Sequence, residues 1–212
     1  MTCPICEKRK AKRVCPAKAQ SICAVCCGEQ REVTIDCPHD CPHLKASREH
    51  TQRRPVDPQG VPFTEVHIPD SFASRHDEEL MELAGVICSF AAANPAFVDS
   101  DAQAALQSLA ETYRSLSSGI IYEKPPDHRM QREVYQQLQA AVKNFKARND
   151  SGLVSVVSTT DQEWRDVLIL LTQLAYLRSN GRPKSRAFLD VLRSQFAPGA
   201  FNAASTGSLI VP

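Results

Sequence analysis

Cysteine is concentrated at the N-terminus of this chain. Eight of its nine cysteines lie between Cys3 and Cys41, and the ninth is Cys88. Eight thiols are enough for two four-coordinate metal sites, and thiolates at C-x2-C spacing are typical ligands of structural zinc in a segment too short to bury a core. The sequence therefore predicts an N-terminal module with two Zn²⁺ as cofactors. Its predicted ligands are Cys3, Cys6, Cys15, Cys23, Cys26, Cys27, Cys37 and Cys41.

The spacing of these cysteines predicts two interleaved sites, because Cys15 has no nearby cysteine on its N-terminal side. In a cross-brace, the first and third pairs share one ion, and the second and fourth share the other. The predicted sets are Cys3, Cys6, Cys23 and Cys27 for one ion, and Cys15, Cys26, Cys37 and Cys41 for the other. Exchange of Cys26 with Cys27 is the alternative.

Two histidines accompany the last cysteine pair. His39 and His43 lie within two residues of a cysteine, and His43 is the better placed to substitute for one thiolate. Because eight cysteines already fill two tetrahedral sites, we expect both histidines to be exposed loop residues. A thiolate-rich site also accepts iron, so zinc is predicted without excluding that metal.

The N-terminal pattern resembles a known family of zinc modules. Cys3-Pro-Ile-Cys6, a basic stretch ending in Cys15-Pro, and Ile22-Cys23-Ala-Val-Cys26-Cys27 resemble the HIT-type zinc finger and, more loosely, the MYND finger. The sequence departs from that pattern at Lys18, which stands where the family has a cysteine, and in its closing residues. The resemblance covers residues 3–41. It implies a cross-braced, treble-clef type of module that binds proteins and has no catalysis of its own.

The rest of the chain predicts an all-α domain. Prolines are frequent between residues 55 and 69, which predicts a linker or extended arm, with one short strand at 63–68. Beyond it, apolar residues recur at helical spacing in five segments, with capping boxes at Ser100/Gln103 and Thr160/Glu163. The predicted organisation is a Cys-rich module over 1–50, a linker over 51–74, a bundle of about five helices over 75–197 and a disordered tail over 198–212.

Charge and hydropathy limit the compartment and the partners. Lysines and arginines precede any apolar run near the N-terminus, and no window approaches the roughly 18 apolar residues of a membrane helix. We expect a soluble, cytoplasmic protein that does not bind membranes, in which thiols stay reduced. Residues 1–54 carry a formal charge of +5, but eight thiolates with two Zn²⁺ would lower it to about +1.

Function is predicted only as a class. The sequence has no phosphate loop, nucleophile elbow or HExxH motif, which favours a non-catalytic adaptor that binds a protein partner and no small-molecule substrate. The alternative is a nucleic-acid-binding protein that contacts phosphates through the basic residues 8–18 and a second basic loop. An enzyme without a motif and a redox-active thiol cluster are weaker alternatives. The basic loop comprises Arg178, Arg182, Lys184 and Arg186.

Overall fold

The computed structural model describes residues 1–52, 60–150 and 159–201, and this part of the chain is mostly helical. It has a small N-terminal part, residues 1–52, which we call the Cys-rich module. The remaining described residues, 60–150 and 159–201, form the helical body. No helix in the described ranges is long and apolar enough to cross a lipid bilayer.

The Cys-rich module is built from a hairpin and two helices. Strand β1 (Arg13–Cys15) pairs antiparallel with β2 (Gln20–Ile22), with Val14 opposite Ser21. A single 3-10 turn, Pro16–Lys18, joins the strands. The helices are α1 (Ala24–Gln30) and α2 (Pro42–Gln52). Apart from cysteines, the buried apolar residues of the module are Ile22, Ile35 and Leu44, so the hydrophobic core is too small to stabilise it alone.

Six helices form the helical body. They are α3 (Phe72–Arg75), α4 (Asp77–Ala93), α5 (Asp99–Ser117), α6 (Arg129–Asp150), α7 (Asp161–Arg178) and α8 (Ala187–Arg193). The five helical segments predicted from apolar spacing correspond to α4 to α8. Helix α5 packs most extensively on α7, and α6 packs on α4 and α5. Trp164, Val167 and Leu168 of α7 are fully buried.

One of the two predicted capping boxes is present. At the start of α7, the Glu163 backbone N–H donates to Thr160 Oγ1 at 3.2 Å, and the Thr160 N–H donates to Glu163 at 2.8 Å. The box predicted at Ser100 and Gln103 is wrong. The N-cap of α5 is Val98, two residues before Ser100, and the Asp101 carboxylate accepts a hydrogen bond from the Val98 backbone N–H at 3.3 Å.

The segments flanking the bundle are packed more closely than the sequence predicted. Phe63 and Phe72, within the predicted linker, are buried in the helical core, and the residues around Phe63 form turns instead of a strand. At the other end, Phe201 packs on Phe196 with ring centroids 4.8 Å apart. Aromatic burial thus extends the folded body at both ends. The prolines at 55 and 58 and the tail residues 202–212 lie outside the described residues.

Candidate metal centre

Four thiols of the Cys-rich module lie close together. The Sγ atoms of Cys3, Cys6, Cys23 and Cys26 all lie within 4.8 Å of one another, which is the one such group of cysteines, histidines and carboxylates in the described ranges. The side chains are buried except for that of Cys6, which is partly exposed. These four cysteines, called here the first thiol set, could hold one metal ion.

The backbone on the Cys3 side of this site forms a tight knuckle. The Cys3 N–H donates to the Arg9 carbonyl at 2.8 Å, and the Glu7 N–H donates to the Cys3 carbonyl at 2.8 Å. Glu7 adopts a left-handed conformation with φ of 52° to close this turn. The turn directs both thiols, those of Cys3 and Cys6, toward the same point.

The other two thiols are placed by the start of α1. Cys23 is the N-cap of this helix, and its sulfur accepts a hydrogen bond from the Cys26 N–H at 3.4 Å. A residue three positions into the helix lies on the same side as the cap, so Cys26 joins Cys23. The cysteine spacing predicts Cys27 in this set, with Cys26 as the alternative, and the structure brings together the alternative. Cys27 is the next residue along α1, so it faces away from the first thiol set. Its sulfur accepts a hydrogen bond from the Arg31 guanidinium at 3.7 Å.

One sulfur–sulfur distance in the first thiol set is close to that of a tetrahedral metal site. Zinc–sulfur bonds of about 2.3 Å in a tetrahedron separate neighbouring sulfurs by roughly 3.8 Å. Cys6 Sγ and Cys23 Sγ are 3.9 Å apart, far beyond the roughly 2.05 Å of a disulfide bond. These two thiols are therefore not joined by a disulfide, and their separation is close to that of two ligands of one tetrahedral ion.

Protonation of these thiols differs with their surroundings. Burial raises the pKa of the Cys3 thiol, but hydrogen bonds from the backbone of Cys23, Cys6 and Ile5 outweigh it and lower that pKa to about 6. Burial, together with the neighbouring thiols of Cys23 and Cys6, raises the pKa of the Cys26 thiol to about 12. Thiolates packed this closely repel one another, and a divalent cation would relieve that repulsion.

The four remaining cysteines of the module line one small cavity. Cys15, Cys27, Cys37 and Cys41, called here the second thiol set, surround an enclosed cavity of about 10 Å³. Burial raises the pKa of the Cys37 thiol, and the charges of Cys41 and Cys15 add to this effect. The sulfurs of this set are not drawn together as tightly as those of the first set.

The prediction that both histidines are exposed loop residues is confirmed for His39 and is wrong for His43, which is partly buried on α2. His43 lines the cavity of the second thiol set, where burial and the nearby Arg13 and Arg31 charges lower its pKa. His39 is exposed and faces a wider groove between the module and α8. Of the two, His43 is therefore the one that is positioned to replace a thiolate.

The basic loop after α7 lies against the Cys-rich module. Arg182 donates to the Gly28 carbonyl at 2.9 Å and also to the Arg31 carbonyl. Lys184 donates to the Thr34 carbonyl at 3.3 Å. Arg186 pairs with Asp36 at 2.5 Å and also donates to the Pro95 and Phe97 carbonyls. These donors, predicted to contact anions, are used within the chain, while Arg178 is exposed.

Glu32 is the centre of this contact, and no pattern in the sequence marks it. Its side chain is 3 % exposed, and its carboxylate accepts hydrogen bonds from Arg48 and Asn180, each at 2.7 Å. The Glu32 backbone carbonyl accepts from the Lys184 N–H at 2.8 Å. Arg48 also pairs with Asp190 of α8. A buried carboxylate with several donors fixes the module on the helical body.

A second buried carboxylate supports the loop from the other side. Asp99, at the start of α5, is 1 % exposed, and it accepts hydrogen bonds from the Ser185 hydroxyl at 2.6 Å and the Ala187 N–H at 2.9 Å. It also accepts from the N–H groups of Phe188 and Leu189, so it caps α8 from another part of the chain. Burial raises the pKa of Asp99, although these hydrogen bonds oppose the rise.

Comparison with known proteins adds no assignment. The chain matches no protein-family model, and no curated protein or solved structure gives a significant match. The resemblance to HIT-type and MYND fingers therefore stays a prediction from the cysteine pattern.

Proposed function

We propose that this chain is a non-catalytic interaction protein whose Cys-rich module is stabilised by two Zn²⁺ ions and is attached to the helical body. The observation that carries the proposal is the convergence of four thiols, Cys3, Cys6, Cys23 and Cys26, within 4.8 Å. A module with so few buried apolar residues requires an additional source of stability, and metal binding supplies it in domains of this size.

The first ion would be structural. Four thiolates complete the tetrahedral coordination of zinc, so no position is left for a water molecule or a substrate. Three of the four cysteines are at most 3 % exposed. The ion would hold the knuckle of Cys3 and Cys6 against the start of α1, and it would supply no Lewis-acid chemistry.

The second ion is supported by the arrangement of the remaining cysteines. Cys15, Cys27, Cys37 and Cys41 surround one small cavity, and His43 is beside it. Along the chain these residues alternate with the first thiol set, which is the interleaving that a cross-braced module requires. Binding of an ion would draw the sulfurs inward, with Cys27 contributed by the helix that also presents Cys26.

The most suggestive catalytic arrangement in the helical body favours a structural interpretation. His76 Nδ1 is 3.5 Å from Glu79 Oε1, and the Thr159 hydroxyl donates to the same oxygen at 2.6 Å. All three side chains are buried, so the hydroxyl is not accessible to a substrate. The cluster connects Thr159, two residues before α7, to the start of α4.

Elemental analysis combined with thiol titration tests the proposal. Protein purified without added metal is expected to contain about two zinc ions per chain, and a chelator that removes them should expose eight thiols in parallel with zinc release. Cys88 is 1 % exposed and should react only after unfolding. Fewer than about one zinc per chain, or iron with several freely reactive thiols, would contradict a closed structural module.

A further inference from the structure

The Cys-rich module has an outward-facing stripe that no described residue covers. Along residues 10–15, exposed and less exposed side chains alternate, as expected for an extended chain with one face toward the interior. Cys15 is buried, and Ala11 packs against the core of the module. Lys10, Lys12 and Val14 therefore share the outer face, where Val14 is 69 % exposed.

The charged residues around this stripe are nearly all positive. Residues 1–28 contain six lysines and arginines and a single acidic residue, Glu7. Arg9 and Arg13 are directed at cysteine sulfurs. The exposed Lys8, Lys10, Lys12 and Lys18 have no ion-pair partner in the described part of the chain. Lys18 lies in the turn between β1 and β2, so it extends the positive surface along the hairpin.

The attachment to the helical body leaves this stripe free. Hydrogen bonds from the body reach Gly28, Arg31, Glu32, Thr34 and Asp36, which lie after the hairpin. The acidic residues of the module are concentrated on that later segment. The module thus has one side that is used within the chain and a basic, partly apolar side that remains unused.

We propose that the stripe of Lys10, Lys12 and Val14, with Lys18 at its end, binds an acidic segment of a partner protein that carries an apolar side chain. This inference rests on the proposed function and names the partner's chemistry. Carboxylates of the partner would pair with the free lysines, and its apolar side chain would cover Val14. The charge complementarity raises the association rate and orients the segment, while burial of Val14 slows its release.

Three observations favour a protein segment over nucleic acid. Residues 1–52 contain no phenylalanine, tyrosine or tryptophan, so the module has no platform for base stacking. Arg182, Lys184 and Arg186 are used within the chain and cannot extend the basic surface. An exposed valine between the cations suits an apolar side chain better than a phosphate backbone.

A binding experiment on the full chain uses two synthetic peptides. One peptide of about twelve residues alternates glutamate and aspartate around a central pair of leucines, and the other has serines in place of the leucines. Fluorescence anisotropy measures the affinity of each peptide for the metal-loaded protein. We expect the leucine peptide to bind more tightly, and its affinity to fall as salt is raised from about 50 to about 200 mM.

Matched variants locate the binding surface. The variant Lys10→Glu/Lys12→Glu/Lys18→Glu is expected to weaken binding of both peptides by at least about tenfold, because three attractions become repulsions. The control Lys45→Glu/Lys124→Glu/Lys143→Glu has the same net charge at exposed positions elsewhere and should weaken binding by less than about twofold. Val14→Ser should remove most of the difference in affinity between the leucine peptide and the serine peptide. Serine substitution of a metal ligand would not remove that difference specifically.

Two results would overturn the inference. Equal loss of binding in the two triple variants would show that the peptides respond only to net charge. Tighter binding of a DNA duplex of about 20 base pairs, lost in the Lys10/Lys12/Lys18 variant, would assign the surface to nucleic acid instead. Zinc content is measured on the same preparations. If the wild-type protein contains two zinc ions but binds neither peptide, this inference alone is contradicted, whereas absence of zinc contradicts the proposed function.

Discussion

The Glu32 carboxylate accepts a hydrogen bond from the Asn180 side-chain amide at 2.7 Å, and this bond joins the Cys-rich module to the loop between α7 and α8. Glu32 has φ of 53°, an unfavourable backbone conformation for a residue with a side chain. The surrounding contacts from Arg48, Lys184 and Arg186 stabilise it in this conformation. The two parts of the chain are thus joined by a specific polar contact that also imposes strain on the backbone.

Replacing Glu32 with alanine is expected to loosen this contact. Removal of one partner from a buried, hydrogen-bonded charge cluster costs roughly 2–4 kcal/mol. Urea denaturation would measure the decrease in the free energy of unfolding, and hydrogen exchange would show faster exchange at residues 180–186. Glu29→Ala, at an exposed position on α1, is the matched control and should change neither measurement. Unaltered exchange in Glu32→Ala would show that the loop is held by other contacts.

Serine substitutions should separate the two thiol sets. Cys26→Ser is expected to remove the ion of the first set, and Cys27→Ser the ion of the second, so each should lower the zinc content by at least about one ion per chain. Cys88→Ser should retain both ions, because Cys88 lies on α4 in the helical core. Substitution with Co²⁺, followed by absorption spectroscopy, would report thiolate coordination in each variant. Retention of two ions in Cys26→Ser would contradict the assignment of Cys26.

Asp99 makes stability depend on pH in a specific direction. Its pKa in the folded protein is raised by burial, so the folded state holds this proton more tightly than the unfolded state does. The contribution from protonation is fully present below the ordinary carboxyl pKa and is lost as pH rises through the raised value. We expect the free energy of unfolding of the wild type, relative to Asp99→Asn, to fall over that window in urea titrations. A relative stability that rises with pH there would contradict the stated direction.

Loss of the capping box of α7 should lower the free energy of unfolding by less than loss of the Glu32 side chain does. Thr160→Ala removes the oxygen that accepts from the Glu163 N–H, and loss of an N-cap of this kind costs about 1 kcal/mol. In a chain of this size, that loss corresponds to a decrease in melting temperature of roughly 2–4 °C. Thr160→Ser retains the hydroxyl and should melt close to the wild type. Scanning calorimetry of the two variants provides the comparison.

Local patterns in the sequence predicted the features that depend on neighbouring residues. Apolar spacing located α4 to α8, and Thr160 with Glu163 marked the start of α7, because these signals lie within one or two helical turns. The clustered cysteines predicted a metal-binding group at the N-terminus. The choice between Cys26 and Cys27 required the helix itself, since the two residues are adjacent and differ only in the direction they face.

Features that depend on distant partners were not predictable in this way. Arg182 and Lys184 have the composition of an anion-binding loop, but their acceptors are backbone carbonyls about 150 residues away. Asp99 caps a helix that begins at Ala187. Phe63 lies among prolines and glycine, yet it is buried in the helical core. Local sequence patterns do not predict such contacts, because the residues next to each partner in the sequence do not indicate the distant one.

The contact between Gly28 and Arg182 spans 154 residues, and this separation has a consequence for the order of events during synthesis. Domains fold from the N-terminus as the chain emerges from the ribosome. The thiols of the module are therefore presented long before α7 and α8 exist to cover its inner side. We expect the nascent chain to bind metal. The last two helices of the described chain would then pack on a module that has already folded.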